Sequence, residues 1–467
     1  MNNKHLLAIV LSAYPLTLAA NDVQMKQSQL LGGATTVFDK SHNAFSLPAR
    51  NLGIMRRDSF FIGNAFFKQP WVSAPASTTA RDGLGPLFNS NTCQGCHVKD
   101  GRGKPPTGPE DEFRSTLIRL SIPALSDADR EIALKHGVVP EPMYGDQLQS
   151  SGIRGVKGEG KPSVSFTTIE GQFNDGERYT LVKPMLSFNE LNYGDLHSKV
   201  MTSIRSAPAM SGLGLLEAVS EKDILQSADP SDNNNDGISG RPNRVWDIKQ
   251  QKTVLGRFGW KASQPNVEQQ TAAAFHGDMG LTTTLFPKPH CSPSQKICLA
   301  AENGGKPEVS TEILDTVVFY ASTLGVPARR NIKDKLAQAG EQLFNIAGCS
   351  SCHLPKLKTG KVAAFPELSN QTIRPYTDLL LHDMGDGLAD GRPDFLATGK
   401  EWRTSPLWGI GLVESINKHT RFLHDGRARN LMEAVLWHGG EAEQSKQAML
   451  ALNKDQRNAL IAFLKSL

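Results

Sequence analysis

The chain has 467 residues, 39% hydrophobic and 21% charged. That composition excludes a disordered or collagen-like polymer and leaves length for two or three domains. The 51 basic and 47 acidic residues balance to +4, too even for a polyphosphate-binding surface, so nucleic acid is not an expected partner. Six cysteines are too few for a disulfide-built scaffold, and they fall into three close pairs: Cys93/Cys96, Cys291/Cys298 and Cys349/Cys352.

Lys4 and His5 precede an apolar run over 6–20 that ends in Ala19-Ala20. This pattern predicts a secretory signal peptide over residues 1–20. The run is short for a membrane span of about 20 residues, and Pro15 interrupts it. The mature protein is therefore expected in an oxidising compartment, the periplasm, and not as an integral membrane protein.

Cys93-Gln94-Gly95-Cys96-His97 is C-x-x-C-H, and Cys349-Ser350-Ser351-Cys352-His353 repeats it. Two thiols at this spacing add to the two vinyl groups of one haem, and the next histidine lies under the iron. Two covalently bound c-type haems are predicted, with His97 and His353 as iron ligands. Leu87-Phe88-Asn89 and Leu343-Phe344-Asn345 precede the two motifs at equal distance, which reads as a repeat.

Residues from about 100 to 250 are rich in Gly, Pro and Ser. They predict an irregular insertion with short strands at 163–169 and 179–182. Within it, Asp232, Asn234 and Asp236 followed by Gly237 match the first half of a calcium loop, but Asn243 stands where the closing Glu belongs. Cys291 and Cys298 have no adjacent histidine and predict a local disulfide.

Val317, Tyr320, Ala321 and Leu324 show helical spacing stopped by Gly325 and Pro327, and Leu460, Phe463, Leu464 and Leu467 show the same face at the C-terminus. The fold class expected is mainly α: two tandem cytochrome c-like domains, 21–330 and 331–467, the first enlarged by the insertion.

Several further phrases resemble the bacterial di-haem cytochrome c peroxidase superfamily, and within it the long di-haem oxidoreductase branch labelled thiol oxidoreductase or peroxidase. They are Arg81-Asp82-Gly83-Leu84-Gly85-Pro86, Phe258-Gly259-Trp260-Lys261-Ala262, Leu381-His382-Asp383-Met384-Gly385, Glu401-Trp402-Arg403-Thr404-Ser405-Pro406 and Phe422-Leu423-His424-Asp425-Gly426-Arg427. In the superfamily the distal ligand of the second haem follows a histidine of this last phrase by fourteen residues. His424 leads in that way to His438, so the resemblance implies a His353/His438 pair, with Met384 as the competing soft donor. It further implies Trp260 as an electron bridge and Gln270, ten residues on, as a residue that orients peroxide. Asp278 would be the distal acid–base group, with His276 as a substitute base. Asp278 arrives two residues earlier than the family's glutamate.

The function expected is a periplasmic di-haem oxidoreductase of peroxidase type. Electrons would pass from a small redox protein or quinol-linked donor through the C-terminal haem to an N-terminal catalytic haem that meets hydrogen peroxide or O2. A non-catalytic electron-transfer cytochrome and an O2-using oxygenase are the alternatives. Thiol chemistry has little support, because four of the six cysteines are committed to haem.

Overall fold

The computed structural model describes residues 25–467; the signal peptide expected over 1–20 lies outside them. In chain order the helices that matter here are α1 (Ile54–Lys68), α2 (Val267–Met279), α3 (Thr311–Thr323), α4 (Lys335–Ile346), α5 (Leu431–Leu436) and α6 (Lys454–Ser466). The strands that matter here are β1 (Thr116–Ser121), β2 (Gln147–Leu148), β3 (Gly160–Gln172), β4 (Arg178–Leu191), β5 (Met201–Ser206), β6 (Leu381–Asp383) and β7 (Glu401–Arg403).

Two helix pairs carry the two motifs. α1 crosses α3 at Gly63, where a Cβ would lie 2.3 Å from the Thr316 carbonyl. α4 crosses α6 at Gly340, where a Cβ would lie 1.9 Å from the Ala459 carbonyl. Only glycine lets the backbones approach so closely. The predicted apolar faces are the buried ones: Val317, Tyr320, Ala321 and Leu324 on and just after α3, and Leu460, Phe463, Leu464 and Leu467 on and just after α6. Side-chain caps start these helices. Ser310 accepts from Ile313, and Asn453 and Gln456 form a reciprocal capping box.

The expectation of a mainly α fold in tandem cytochrome c-like domains is corrected. Helix makes up 32% and strand 19%, the latter spread over many small sheets. The region read as an irregular insertion with short strands contains a long antiparallel hairpin, β3–β4, paired from Gly160↔Leu191 to Gln172↔Arg178 with an irregularity at Lys161/Pro162. Much of this hairpin is exposed on both faces, so the apolar alternation that signals a half-buried strand is weak. Its tip docks on the other end of the chain. The buried Arg457 of α6 bonds Asp175 at 2.8 Å and covers Phe173 at 4.0 Å, and Asn174 donates to the Leu450 carbonyl.

The Leu-Phe-Asn repeat also reads differently in three dimensions. Leu87–Phe88 is a short strand paired with Ser151–Gly152, whereas Leu343, Phe344 and Asn345 lie within α4. The structural counterpart of Phe344 is Phe67: each ring lies 6.3 Å from the histidine of its own motif. One apolar cluster joins Leu215, Leu216 and Phe258 from the first part of the chain to Phe344, Leu460 and Phe463 from the second. A three-stranded sheet, ordered β2–β1–β5, forms a wall beside the first motif. Among the described residues no helix is long and apolar enough to cross a membrane.

Candidate active site

Both C-x-x-C-H motifs open into one cavity of about 1370 Å³. That exceeds the roughly 300–1,000 Å³ of a single-ligand site. Cys93, Cys96, His97, Cys349, Cys352 and His353 all line it, as do Trp260, Gln270, Asp278, Met384 and His438. Every residue singled out for haem or catalysis from the sequence is thus brought to one space.

Three of the histidines are held in the same way. His97 Nδ1 donates to the Pro208 carbonyl at 2.8 Å, His353 Nδ1 to Tyr376 at 2.8 Å, and His438 Nδ1 to Ala434 at 2.7 Å. A proton fixed on Nδ1 leaves the Nε2 lone pair free, the arrangement a metal-ligating imidazole needs. Burial holds the pKa of His97 and of His353 down to about 4, and His438 lowers His353 further. Burial also lowers His438. All three rings are therefore neutral at ordinary pH. The Ala434 carbonyl is in the last turn of α5, where carbonyls lack helical partners, so the helix end itself orients His438.

At the first motif, Asp278 is the penultimate residue of α2 and its carboxylate accepts from Gln147 at 3.0 Å. Burial raises its pKa, against the pull of Arg119. Gln270 lies on the same helix, two turns earlier. His276 is engaged elsewhere: Nε2 donates to the Lys288 carbonyl at 2.9 Å and the ring stacks on Phe286. Trp260 is held by its indole N–H on the Ser206 carbonyl at 2.8 Å, with the Arg102 guanidinium 5.1 Å from its ring centre. The His424 ring lies 6.5 Å from Trp260 and stacks on Trp402 at 3.6 Å. The buried Lys261 ammonium lies 4.5 Å from Trp402 and bonds Asp390 at 2.8 Å.

Several further polar residues of the cavity have no role assigned by the sequence, although His382 lies in one of the phrases that carry the resemblance. His382 donates to Asp378 at 2.8 Å and to Glu441 at 2.6 Å, next to Cys352. Burial disfavours its charge, but the two carboxylates outweigh it and raise the pKa well above normal. Both ring nitrogens of His382 are thus engaged by carboxylates. His290, Asp146 and Glu159, which also line the cavity, form a second cluster. Glu159 is buried, and that burial pushes its pKa up to about 8. A carboxyl whose folded pKa is raised binds its proton more tightly when folded, so its contribution to stability is full at low pH and is lost as pH rises towards 8. The difference in melting temperature between wild type and Glu159→Gln is accordingly expected to move against the wild type between pH 5 and pH 8. Thermal unfolding at both pH values measures it, and a pH-independent difference would contradict the assignment.

The loop at 232–237 is exposed, and its carboxylates serve the loop itself. Asp232 accepts from the backbone of Asp236 and Gly237, and Asp236 accepts from Ile238. Asn234 bonds Asp236. Cys291 and Cys298 are joined, with Cα atoms 5.9 Å apart, as their spacing predicts, while the four motif cysteines are unpaired.

A family model described as "Di-haem oxidoreductase, putative peroxidase" matches residues 25–467, essentially the whole chain. No curated protein and no solved structure matches it. With two such motifs facing one cavity and a match over that length, the chain belongs to the di-haem oxidoreductase family.

Proposed function

We propose that this oxidoreductase is a periplasmic di-haem enzyme of peroxidase type, with c-type haems attached at Cys93/Cys96 and Cys349/Cys352. The donor set fits that group. Two unpaired thiol pairs and three neutral histidines with Nδ1 tied to backbone line one cavity. Desolvation pushes Cys93 and Cys96 up to about 12 and Cys349 up to about 11, so an uncharged thioether suits those positions better than a thiolate. The disulfide supports an oxidising compartment.

When bound, the haems supply electron storage and activation of the peroxide bond. Reduction of peroxide to two waters consumes two electrons and two protons. Asp278 would move the proton: its carboxylate can take one from one peroxide oxygen and return it to the other, while two electrons from the donor and two further protons complete the second water. Gln270 orients the peroxide by hydrogen bonding. Trp260, a large polarizable ring fixed at its N–H, is the electron bridge across the cavity. His353 and His438 would hold the second haem, which would take electrons from a small redox protein or quinol-linked donor.

One observation carries this reading: the cavity that receives both motifs also receives a desolvated carboxyl at the first of them. A carrier would need a second strong ligand there instead. The test begins with the purified full chain under denaturing conditions, where two haems are expected to stay attached. Changing both Cys93 and Cys96 to Ser should remove one of them and abolish peroxide consumption. A wild type that keeps both haems yet oxidises no donor with peroxide would overturn the peroxidase assignment.

A further inference from the structure

Arg102, Arg119, Arg205, Arg392 and Arg403 line the cavity. Three of them have carboxylate partners. Arg119 bonds Asp146 at 3.2 Å, Arg205 bonds Asp394 at 2.7 Å, and Arg392 lies 3.6 Å from Asp394. Arg102 and Arg403 form no ion pair among the described residues; the carboxylates that act on them, Asp425 and Asp378, do so only from a distance. Desolvation holds the pKa of each guanidinium down to about 10, so both stay charged at ordinary pH. A desolvated charge without a counter-ion is costly and calls for one.

Both arginines are built around Trp260. The Arg102 guanidinium lies 5.1 Å from the indole ring centre, with Nε on the Arg421 carbonyl at 2.8 Å and Nη2 on the Leu423 carbonyl. Arg403 donates its backbone N–H to the Trp260 carbonyl and its Nε to the Gly259 carbonyl, each at 2.9 Å, and Nη1 to the Thr404 carbonyl at 3.1 Å. Among the described residues, Nη1 of Arg102 and Nη2 of Arg403 are left without a protein partner, and neither atom is walled off by protein. The backbone bonds thus fix each fork and leave one terminal nitrogen to spare. Each arginine also has its own motif. Arg102 follows His97 by five residues. Arg403 feels Asp378, which closely follows Tyr376, the residue whose carbonyl holds His353.

We propose that Arg102 and Arg403 are carboxylate sites, each taking a propionate of one haem: Arg102 at the first motif and Arg403 at the second. This rests on the haem attachment proposed above and not on peroxide chemistry. Thioether bonds hold a haem only at its vinyl groups, and its propionates need partners of their own. A guanidinium meets a carboxylate with a rigid, planar fork of N–H groups, which a lysine ammonium does not offer. Each pair cancels two charges that are expensive to desolvate alone. A guanidinium beside the macrocycle also favours the extra electron of the reduced haem, so each pair raises the potential of its own haem. Arg102 lies over the Trp260 ring and Arg403 is bonded to the Trp260 carbonyl, so the two pairs anchor both haems to the residue assigned as the electron bridge.

The test is a redox titration of the full-length holoprotein as wild type, Arg102→Gln, Arg403→Gln and the two Arg→Lys variants. Each Gln variant should make reduction of its own haem about tenfold less favourable, which is about 59 mV for a one-electron couple, and move the other haem far less. Lysine keeps the charge but not the bonds to backbone, so it should recover most of the shift; a merely structural arginine would fail as Lys and as Gln alike. Two readouts need no variant. Propionates labelled with carbon-13 should absorb in the infrared as carboxylates at pH 7, and added acetate should move neither potential. Unmoved potentials in both Gln variants, Lys variants that behave like Gln, or labelled propionates that absorb as protonated acids would overturn the assignment. So would a potential that follows acetate, because it would give the guanidiniums to a free carboxylate. A shift in one Gln variant alone would overturn the role of the other arginine. A chain with no covalent haem overturns the attachment as well. A two-haem protein that shows the shifts but is inert to peroxide overturns the peroxidase reading and supports the propionate sites.

Discussion

His438→Ala is expected to abolish the low-spin bis-histidine signal of the second haem. His438 is held by the end of α5: its Nδ1 is on the Ala434 carbonyl at 2.7 Å, so the ring has one free nitrogen, which faces the cavity that also receives His353. Burial keeps the ring neutral, as ligation requires. Two imidazoles stabilise ferric over ferrous iron relative to weaker or softer axial sets. Loss of one should therefore raise the reduction potential by a sizeable part of the roughly 0.8 V that axial ligands span. Electron paramagnetic resonance of the oxidised protein and a redox titration read both effects. A signal that persists unchanged in His438→Ala and disappears in Met384→Ala would give the position to Met384, which lines the same cavity.

Asp278→Asn should slow peroxide reduction by about 10²–10⁴-fold, the range of a positioned acid–base group. Asparagine keeps the size and the acceptor that Gln147 uses, so packing is preserved while the titratable oxygen is lost. The pH dependence has a defined sign. Burial raises the Asp278 pKa, and the carboxylate is the form that takes the first proton, so the wild-type rate should fall as pH drops through that raised value. The acid limb should be missing in the variant. Stopped-flow reoxidation of the reduced protein by peroxide checks both. A variant with the full rate and the same limb would remove Asp278 from the chemistry. His276 is a poor replacement, because its Nε2 is committed to the Lys288 carbonyl and its face to Phe286.

The parts of the site legible from the chain are those whose chemistry needs neighbours in sequence. Cys93, Cys96 and His97 lie close in sequence, as the proposed attachment of one haem requires, and so do Cys349, Cys352 and His353. Gln270 and Asp278 are on one helix two turns apart, and their spacing from Trp260 is a local property. Cys291 and Cys298 are seven residues apart and close a loop. By contrast, His290 meets Asp146 across 144 residues, and His382 meets Glu441 across 59. Nothing local marks such partners, because each is selected by the fold that brings it there. The β3–β4 hairpin was legible only in part: the strands expected at 163–169 and 179–182 fall within it, but a strand pair exposed on both faces has little need of alternating apolar residues to mark its full length.

From its residues alone, then, this chain determines two thiol–imidazole motifs, the amphipathic helices that follow each of them and one short disulfide, all features set by covalent spacing or by the 3.6-residue period. Tertiary structure decided the rest. It brought both motifs to one cavity, tied three histidines to backbone carbonyls so that each keeps one nitrogen free, and matched Phe67 with Phe344 where the sequence suggested Phe88. It also desolvated Asp278 and bonded it to Gln147. Burial and hydrogen-bond direction depend on which distant segments meet, and only the folded chain sets that.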